Sequence, residues 1–152
     1  MRLFLRSVAV ATLAAAGLAS GLSATSASAG EKLALVERAS SDAVTDTGAA
    51  GDSPGDILTF ANEIYDAANA KLVGHDNGWC VRVVVGQSWE CFWTVILDDG
   101  QITVEGPYYD TKDSVLAVTG GTGEYAHAGG EMALHARNDK GTEYDFIYSL
   151  ED

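Results

Sequence analysis

The stretch that decides the fold is QITVEGPYYDTKDSVLAVTGGTGEYAHAGGE, residues 101–131. Two short runs in it, 102–105 and 115–119, are rich in β-branched residues and predict two β-strands. A Gly-Pro pair interrupts the first run at Gly106, and Gly-Gly-Thr-Gly ends the second from Gly120 onward. Glycine inside a strand usually marks a bulge or a sharp bend at a barrel corner. The stretch therefore predicts a strand pair that bends.

Similar short strand patterns, separated by turn signals, cover the chain on both sides of this stretch. The further predicted strands are 31–38, 56–65, 72–75, 79–85, 90–97, 131–137 and 143–150. Turns are predicted at 76–78, 98–100 and 138–141. This spacing is typical of an all-β barrel or sandwich. In the last two strands, apolar residues alternate with polar ones, so the even positions, including Met132 and Tyr144, are predicted to face inward.

The beginning of the chain has the three-part pattern of a secretory signal peptide. Arg2 and Arg6 precede an apolar run that reaches Leu18, and a small-residue cleavage site ends at Ala29. The alternative, a transmembrane anchor, is disfavoured because the run is shorter than roughly 18 residues. We predict secretion after cleavage at Ala29. The chain then divides into a signal peptide (1–29), an N-terminal strand with a polar linker (30–54) and a barrel body (55–152).

The net charge restricts the partners. The formal charge is −13, and removal of Arg2 and Arg6 with the signal peptide takes it to −13 − 2 = −15. So few cations argue against nucleic-acid binding and against an anionic membrane surface. We expect neither a nucleic-acid partner nor a membrane anchor. The three histidines, His75, His127 and His135, lack the spacing of metal ligands, so no metal site is predicted.

The two cysteines, Cys80 and Cys91, bracket a predicted hairpin whose turn lies near Gly86. That turn sets the two residues opposite each other, within reach of a disulfide. Disulfides persist in the oxidising compartments that exported proteins meet. We therefore predict a Cys80–Cys91 disulfide.

Several motifs resemble the allene oxide cyclase family. They are VEGPY at 104–108, LAVTGGTG at 116–123 and, upstream, FANEIY at 60–65 and GWC at 78–80. The glycine motif followed by an aromatic residue, Tyr125, is shared with the related dirigent proteins, and bacterial spirotetronate cyclases look like a further relative. The resemblance implies an all-β fold, an eight-stranded antiparallel barrel around a hydrophobic cavity. It also implies a homo-oligomer, a dimer or a trimer.

The same resemblance implies a cofactor-free cyclase or isomerase of a hydrophobic polyunsaturated or polyketide-like small molecule. Asn62 and Tyr108 are the catalytic residues it indicates, with Asn62 holding a water that binds the substrate oxygen. The ligand-pocket residues it implies are Phe60, Cys80 and Trp89. The predicted pocket also includes Trp93, which could stack on a ligand, and Tyr144 and Phe146, which alternation places inward. No cofactor is expected, because a dry pocket that folds a reactive polyene selects the product by its shape.

Three alternatives remain open. The protein could be a lipocalin-like carrier of an apolar metabolite, a dirigent-like stereochemical guide, or an inert barrel whose aromatic residues only pack. For individual residues, Asn62 could cap the backbone at a strand end, and Tyr108 could be an ordinary buried tyrosine.

The chain departs from the family pattern at its first strand. The family's glutamate lies there in an E-x-N-E-like segment, and Ala34 and Val36 stand at the matching positions. Glu37 follows them but is predicted to have the opposite parity. In addition, Ala126 and Gly129 replace the two arginines of dirigent proteins. These departures argue against true allene oxide cyclisation and against quinone-methide coupling, and they leave shape-directed cyclisation, such as an intramolecular Diels–Alder reaction.

Overall fold

The computed structural model describes residues 30–151, which form strands, turns and loops without a helix. The strands are β1 (Glu31–Arg38), β2 (Ala43–Thr45), β3 (Ile57–Phe60), β4 (Glu63–Asp66), β5 (Leu72–Val84), β6 (Ser88–Leu97), β7 (Gly100–Tyr109), β8 (Ser114–Gly123), β9 (Gly129–Ala136) and β10 (Glu143–Glu151). The predicted signal peptide, 1–29, lies outside the described residues. No helix of residues 30–151 is long and apolar enough to cross a membrane.

Antiparallel pairing closes these strands into an eight-stranded barrel. The order around it is β5, β6, β7, β8, β9, β10, β1 and β4, and β4 pairs back onto β5. β3 and β4 pair with successive parts of β5, so together they serve as one interrupted strand. β1 pairs with β4 and β2 pairs with β3, so β1 and β2 form a second interrupted strand beside it. Closure removes the unpaired edges that an open sheet would expose. The predicted all-β antiparallel barrel is confirmed.

The predicted bend in the 101–131 stretch is confirmed, but the predicted strand ends there are wrong. β7 runs through Gly106 and Pro107, and β8 runs through the glycine motif to Gly123. Gly106 and Gly120 adopt φ values of 146° and 150°, which disfavour residues with a Cβ. The pairing register shifts at Thr103, opposite Gly120, as expected for a bulge. The bend therefore lies within the paired strands and does not end them.

The predicted turn at 76–78 is also wrong, because β5 continues through it. Asp76 is completely buried there, and its N–H donates to the carbonyl of Asn62 at 2.9 Å. Gly78 is needed for packing, since a Cβ at that position would lie 2.5 Å from the Cβ of Trp93 and would overlap the ring of Phe60. Tertiary contacts thus override the local turn pattern.

Cross-strand register defines the inside of the barrel. The even positions of β9 and β10 face inward as predicted, at no more than 8% exposed: Met132, Leu134, Tyr144, Phe146 and Tyr148. The exposed even positions are Gly130 and Ala136, which lie near the two ends of β9. On β1 the odd positions face inward, because Leu35 pairs with Phe146 and Glu37 with Tyr144. Glu37 has the parity opposite to Ala34 and Val36, as predicted, and that parity is the one that faces the interior.

Candidate functional site

A cavity of about 90 Å³ lies inside the barrel, toward the end that carries the β5–β6, β7–β8 and β9–β10 turns. We call this end the upper end. Eleven residues line the cavity: Glu37, Asp42, Leu58, Phe60, Cys80, Cys91, Trp93, Tyr108, Leu134, Tyr144 and Phe146. It is smaller than the roughly 300–1,000 Å³ of sites that enclose whole drug-sized ligands. It is therefore sized for one end of such a molecule.

Aromatic rings form one wall of the cavity. Trp93 lies between Phe60 and Phe146, with ring centroids 6.0 Å and 5.6 Å away. The Phe60 pair is edge-to-face, and the Phe146 pair is tilted. These geometries leave π-faces available to an unsaturated or cationic ligand.

The predicted disulfide between Cys80 and Cys91 is confirmed. The two residues pair directly across β5 and β6, and both are 2% exposed. Both line the cavity. Cys80 therefore contributes a sulfur surface to the wall and no free thiol.

Glu37 is the buried acid of the cavity, a role that sequence reasoning missed. It projects inward from β1 and is 6% exposed. The positions matched to the family's first-strand residues, Ala34 and Val36, have the opposite parity. The alternation of Leu33, Leu35 and Glu37 on β1 was the signal that could have identified it, with the leucines defining the inward face.

Asn62 does not line the cavity but holds Glu37 in place. Its side-chain amide donates to Glu37 Oε1 and to Asp42 Oδ1, each at 2.9 Å. Its side-chain oxygen accepts the backbone N–H groups of Ser40 and Ser41 at 2.9 Å and 3.0 Å. Both amide hydrogens are thus used inside the protein, and Asn62 acts as the support of the acid.

Asp76 is the second buried carboxyl group of this cluster. Its Oδ1 accepts the backbone N–H of Asn62 at 2.9 Å. Its Oδ2 is buried and has no hydrogen-bond partner among the described residues. A proton on Glu37 would supply that donor, since a hydrogen bond between the two carboxyl groups contributes to the pKa shift of both.

The electrostatics of the pair agree with this assignment. Burial raises the pKa of Glu37 well above its usual range, and the charge of Asp76 adds to this effect. Burial also raises the pKa of Asp76, but the Asn62 N–H and the Glu37 hydrogen bond both oppose that shift. Two adjacent carboxyl groups rarely both ionise at a buried site. Glu37 therefore carries the shared proton at the cavity wall.

Tyr108 and Tyr144 close the upper side of the cavity. Their hydroxyl oxygens are 3.1 Å apart, and their rings meet edge-to-face. Burial and the Tyr108 hydroxyl raise the pKa of Tyr144 far above its usual value. Tyr144 therefore stays neutral and can donate a hydrogen bond.

Trp89 is the one predicted pocket residue that lies apart from the cavity. It is buried, and the guanidinium of Arg82 stacks on it at 4.0 Å. Arg82 is in turn held by Asp52 at 2.7 Å and by both carboxylate oxygens of Asp110. The other predicted pocket residues and Tyr108 all line the cavity: Phe60, Cys80, Trp93, Tyr144 and Phe146.

Comparison with known proteins agrees with the barrel. Residues 33–149 match the model of the allene oxide cyclase family. The chain belongs to this family. A solved structure of a pyocyanin demethylase is similar at 27% sequence identity and a TM-score of 0.66, covering 78% of this chain and 100% of the demethylase.

Two further solved structures share the fold. A pterocarpan synthase dirigent protein is 15% identical with a TM-score of 0.64, and the match covers 80% of this chain and 96% of that protein. An exo-specific intermolecular Diels–Alderase is 18% identical with a TM-score of 0.62, and the match covers 80% of this chain and 98% of that protein. The fold thus occurs in a demethylase, a pterocarpan synthase dirigent protein and a Diels–Alderase.

Proposed function

We propose that this member of the allene oxide cyclase family is a cofactor-free isomerase or cyclase of an apolar, conjugated small molecule. The observation that carries the proposal is Glu37, a buried carboxyl group on the wall of an aromatic cavity, whose pKa burial raises well above its usual range. Acids kept neutral by burial are a common means of proton donation near pH 7. The signal-peptide pattern and the Cys80–Cys91 disulfide support action outside the cell.

In the proposed reaction, the Glu37 O–H gives its proton to an oxygen or a terminal carbon of the conjugated substrate. The positive charge that develops on the substrate lies beside Trp93 and Phe146, whose π-faces attract cations. The cation closes a ring or keeps its open chain, and in either case a carbon beside the positive charge then loses a proton to the Glu37 carboxylate. Substrate and product then have the same atoms, and no oxidant or cofactor is consumed.

A second candidate is removal of a methyl group from a planar aromatic compound. The similarity to a pyocyanin demethylase favours it, since that match covers the whole of the demethylase. The flat aromatic wall around Trp93 suits the edge of such a ring system.

The test is incubation of the purified protein with a panel of conjugated polyenes, polyketide-like dienes and pyocyanin, followed by liquid chromatography and mass spectrometry. A product of unchanged mass and new retention time supports isomerisation or cyclisation. A product lighter by one CH₂ supports demethylation. Loss of a general acid typically slows such steps by about 10²–10⁴-fold, so Glu37→Gln should reduce turnover by that factor.

The control variant is Glu131→Gln, the same substitution at an exposed position on β9. It should leave turnover unchanged. A compound that is retained unaltered on the folded protein would instead favour a carrier. Full turnover in Glu37→Gln would contradict the proposed acid.

A further inference from the structure

Two carboxyl groups line the cavity, and they differ in exposure. Glu37 is buried on β1, whereas Asp42 lies on the segment between β1 and β2 and is exposed. Asp42 Oδ1 accepts the Asn62 amide at 2.9 Å, and no cation of residues 30–151 forms an ion pair with it. A carboxylate can accept about four hydrogen bonds. Asp42 therefore keeps acceptor capacity at the point where the cavity meets solvent.

The Asn62 side chain fixes the distance between these two acids. Its amide nitrogen donates one hydrogen to Glu37 Oε1 and the other to Asp42 Oδ1, each at 2.9 Å. Because the two N–H bonds of an amide diverge by about 120°, the two acceptor oxygens lie about 5 Å apart. A proton donor and a hydrogen-bond acceptor thus border the cavity side by side, separated by the length of a short conjugated enol.

Trp93 adds an unused donor to the cavity lining. Its indole N–H is buried and has no acceptor among the described residues. An unpaired buried donor is costly, so a ligand oxygen that accepts this N–H would be favoured. The tyrosine hydroxyls are less available, because Tyr108 and Tyr144 bond each other. The lining therefore offers a free acceptor and a free donor, and a hydroxyl group is able to use both.

The charge of the lining disfavours an acidic ligand. Among the described residues that border the cavity, none is lysine, arginine or histidine. A carboxylate inside the cavity would face Glu37 and Asp42 without a cation to pair with, and burial of an unpaired charge is unfavourable. The cavity is therefore suited to a neutral conjugated end that carries a hydroxyl group.

We propose that Asp42 determines specificity by accepting a hydrogen bond from a substrate hydroxyl, so that the substrate class is a conjugated enol or phenol. The Asp42 carboxylate takes the hydrogen bond and not the proton, so the proton balance of the proposed reaction is unchanged. The bond increases electron density on the hydroxyl oxygen and, through conjugation, on the carbon that Glu37 protonates. This inference rests on the proposed function, because it needs the cavity to bind a conjugated ligand.

Two probes of nearly the same shape test the role of Asp42. The hydroxyl of 2-naphthol can donate a hydrogen bond, and the ether of 2-methoxynaphthalene cannot. We expect the protein to bind 2-naphthol about ten-fold more tightly in calorimetric titrations, because hydrogen bonds to charged groups are the stronger ones. Asp42→Ala should bring this ratio close to one by weakening the binding of 2-naphthol alone. Asp42→Asn, which keeps the shape and removes the charge, should give an intermediate ratio.

The control is Asp46→Asn, at an exposed acid that lies further along the chain and does not line the cavity. It should change neither affinity. The inference is overturned if the unsubstituted protein binds both probes equally, or if Asp42→Ala weakens both equally. It is also overturned if 2-naphthoate, which has a carboxylate in place of the hydroxyl, binds more tightly than 2-naphthol. If neither probe binds, the cavity of the proposed function fails as well, whereas equal binding of both leaves that cavity standing.

The absorption spectrum of bound 2-naphthol provides a readout that a merely structural role of Asp42 would not change. Its long-wavelength band moves to the red when the O–H donates to a carboxylate. We expect this shift in the unsubstituted protein and in Asp46→Asn, and its loss in Asp42→Ala. A shift that persists in Asp42→Ala would assign the hydroxyl to another acceptor and overturn the inference.

Discussion

The two halves of the barrel interior are packed differently: the lower half, away from the cavity, is filled by side chains, and the upper half is not. Below, side chains such as Val95, Ile102, Met132 and Tyr148 fill the interior, and each is completely buried. Above, a cavity remains, and one of its walls carries the buried acid Glu37. Close packing stabilises the first half, while polar bonds and a disulfide hold the second. We infer that the filled lower half supplies the stability that offsets the cavity and the buried acid of the upper half.

We expect the largest loss of stability from a substitution in the lower half, and two residues of one strand allow the two halves to be compared. Met132 and Leu134 are both inward on β9, but only Leu134 lines the cavity. Met132→Ala should lower the free energy of unfolding by about 2–5 kcal/mol, because it leaves a new void in a filled interior. Leu134→Ala should cost less, since that side chain already lacks neighbours on one side. Urea unfolding monitored by tryptophan fluorescence measures both, and equal losses would contradict the distinction between the halves.

The disulfide is the next largest expected effect. Cys80 and Cys91 are 11 residues apart in sequence and join β5 to β6 beside the cavity. Replacing both by alanine should cost about 3 kcal/mol, chiefly through the freedom that the unfolded chain regains. Thermal unfolding of the variant and of the oxidised protein gives the difference. A loss near zero would mean that cross-strand pairing alone holds the upper half.

Removal of the Asn62 side chain should lower the free energy of unfolding somewhat less than removal of the disulfide. Asn62→Ala leaves Glu37 Oε1 without its donor and also removes the acceptor of the Ser40 N–H. An unpaired buried group such as Oε1 costs about 1–3 kcal/mol. Asn77→Ala, an exposed change on β5, serves as the matched control. Chemical unfolding of the two variants compares them. Similar losses in both would show that Asn62 is not a support of the site.

Glu37→Gln should act in the opposite direction and stabilise the protein. The raised pKa of Glu37 means that the folded state favours the protonated carboxyl group. Its contribution to the free energy of unfolding is therefore complete below pH about 4.3, the ordinary glutamate pKa, and is lost as pH rises through the raised pKa. Glutamine keeps a donor toward Asp76 and an acceptor for Asn62 without titrating. We expect a gain of roughly 0.5–2 kcal/mol at pH 7.

Melting temperatures measured from pH 4 to pH 7 test this last prediction. The difference between the Glu37→Gln variant and the unsubstituted protein should widen as pH rises. A difference that is constant across the range would mean that Glu37 ionises at its ordinary pKa.

The barrel could be predicted from sequence because its signals are local. Alternation on β9 and β10 identifies the inward face, and the hairpin between Cys80 and Cys91 sets their register. The buried acids could not be predicted in the same way. Asp76 lies in an Asp-Asn-Gly sequence that is typical of a turn, and only the contact with Asn62 keeps it within β5. Glu37 was not among the predicted site residues because the alignment to the family matched Ala34 and Val36 to the first-strand positions instead.

The most direct test of the account is the pKa of Glu37 in the folded protein. A titration of the glutamate side-chain carbons by NMR, with Glu37→Gln to assign the signal, measures it without a substrate. The account predicts one glutamate that stays protonated well above pH 4.3, the ordinary value, and whose signal is missing in the variant. If every glutamate ionises near that ordinary value, Glu37 is not the proton donor of the cavity, and the proposed acid chemistry is wrong.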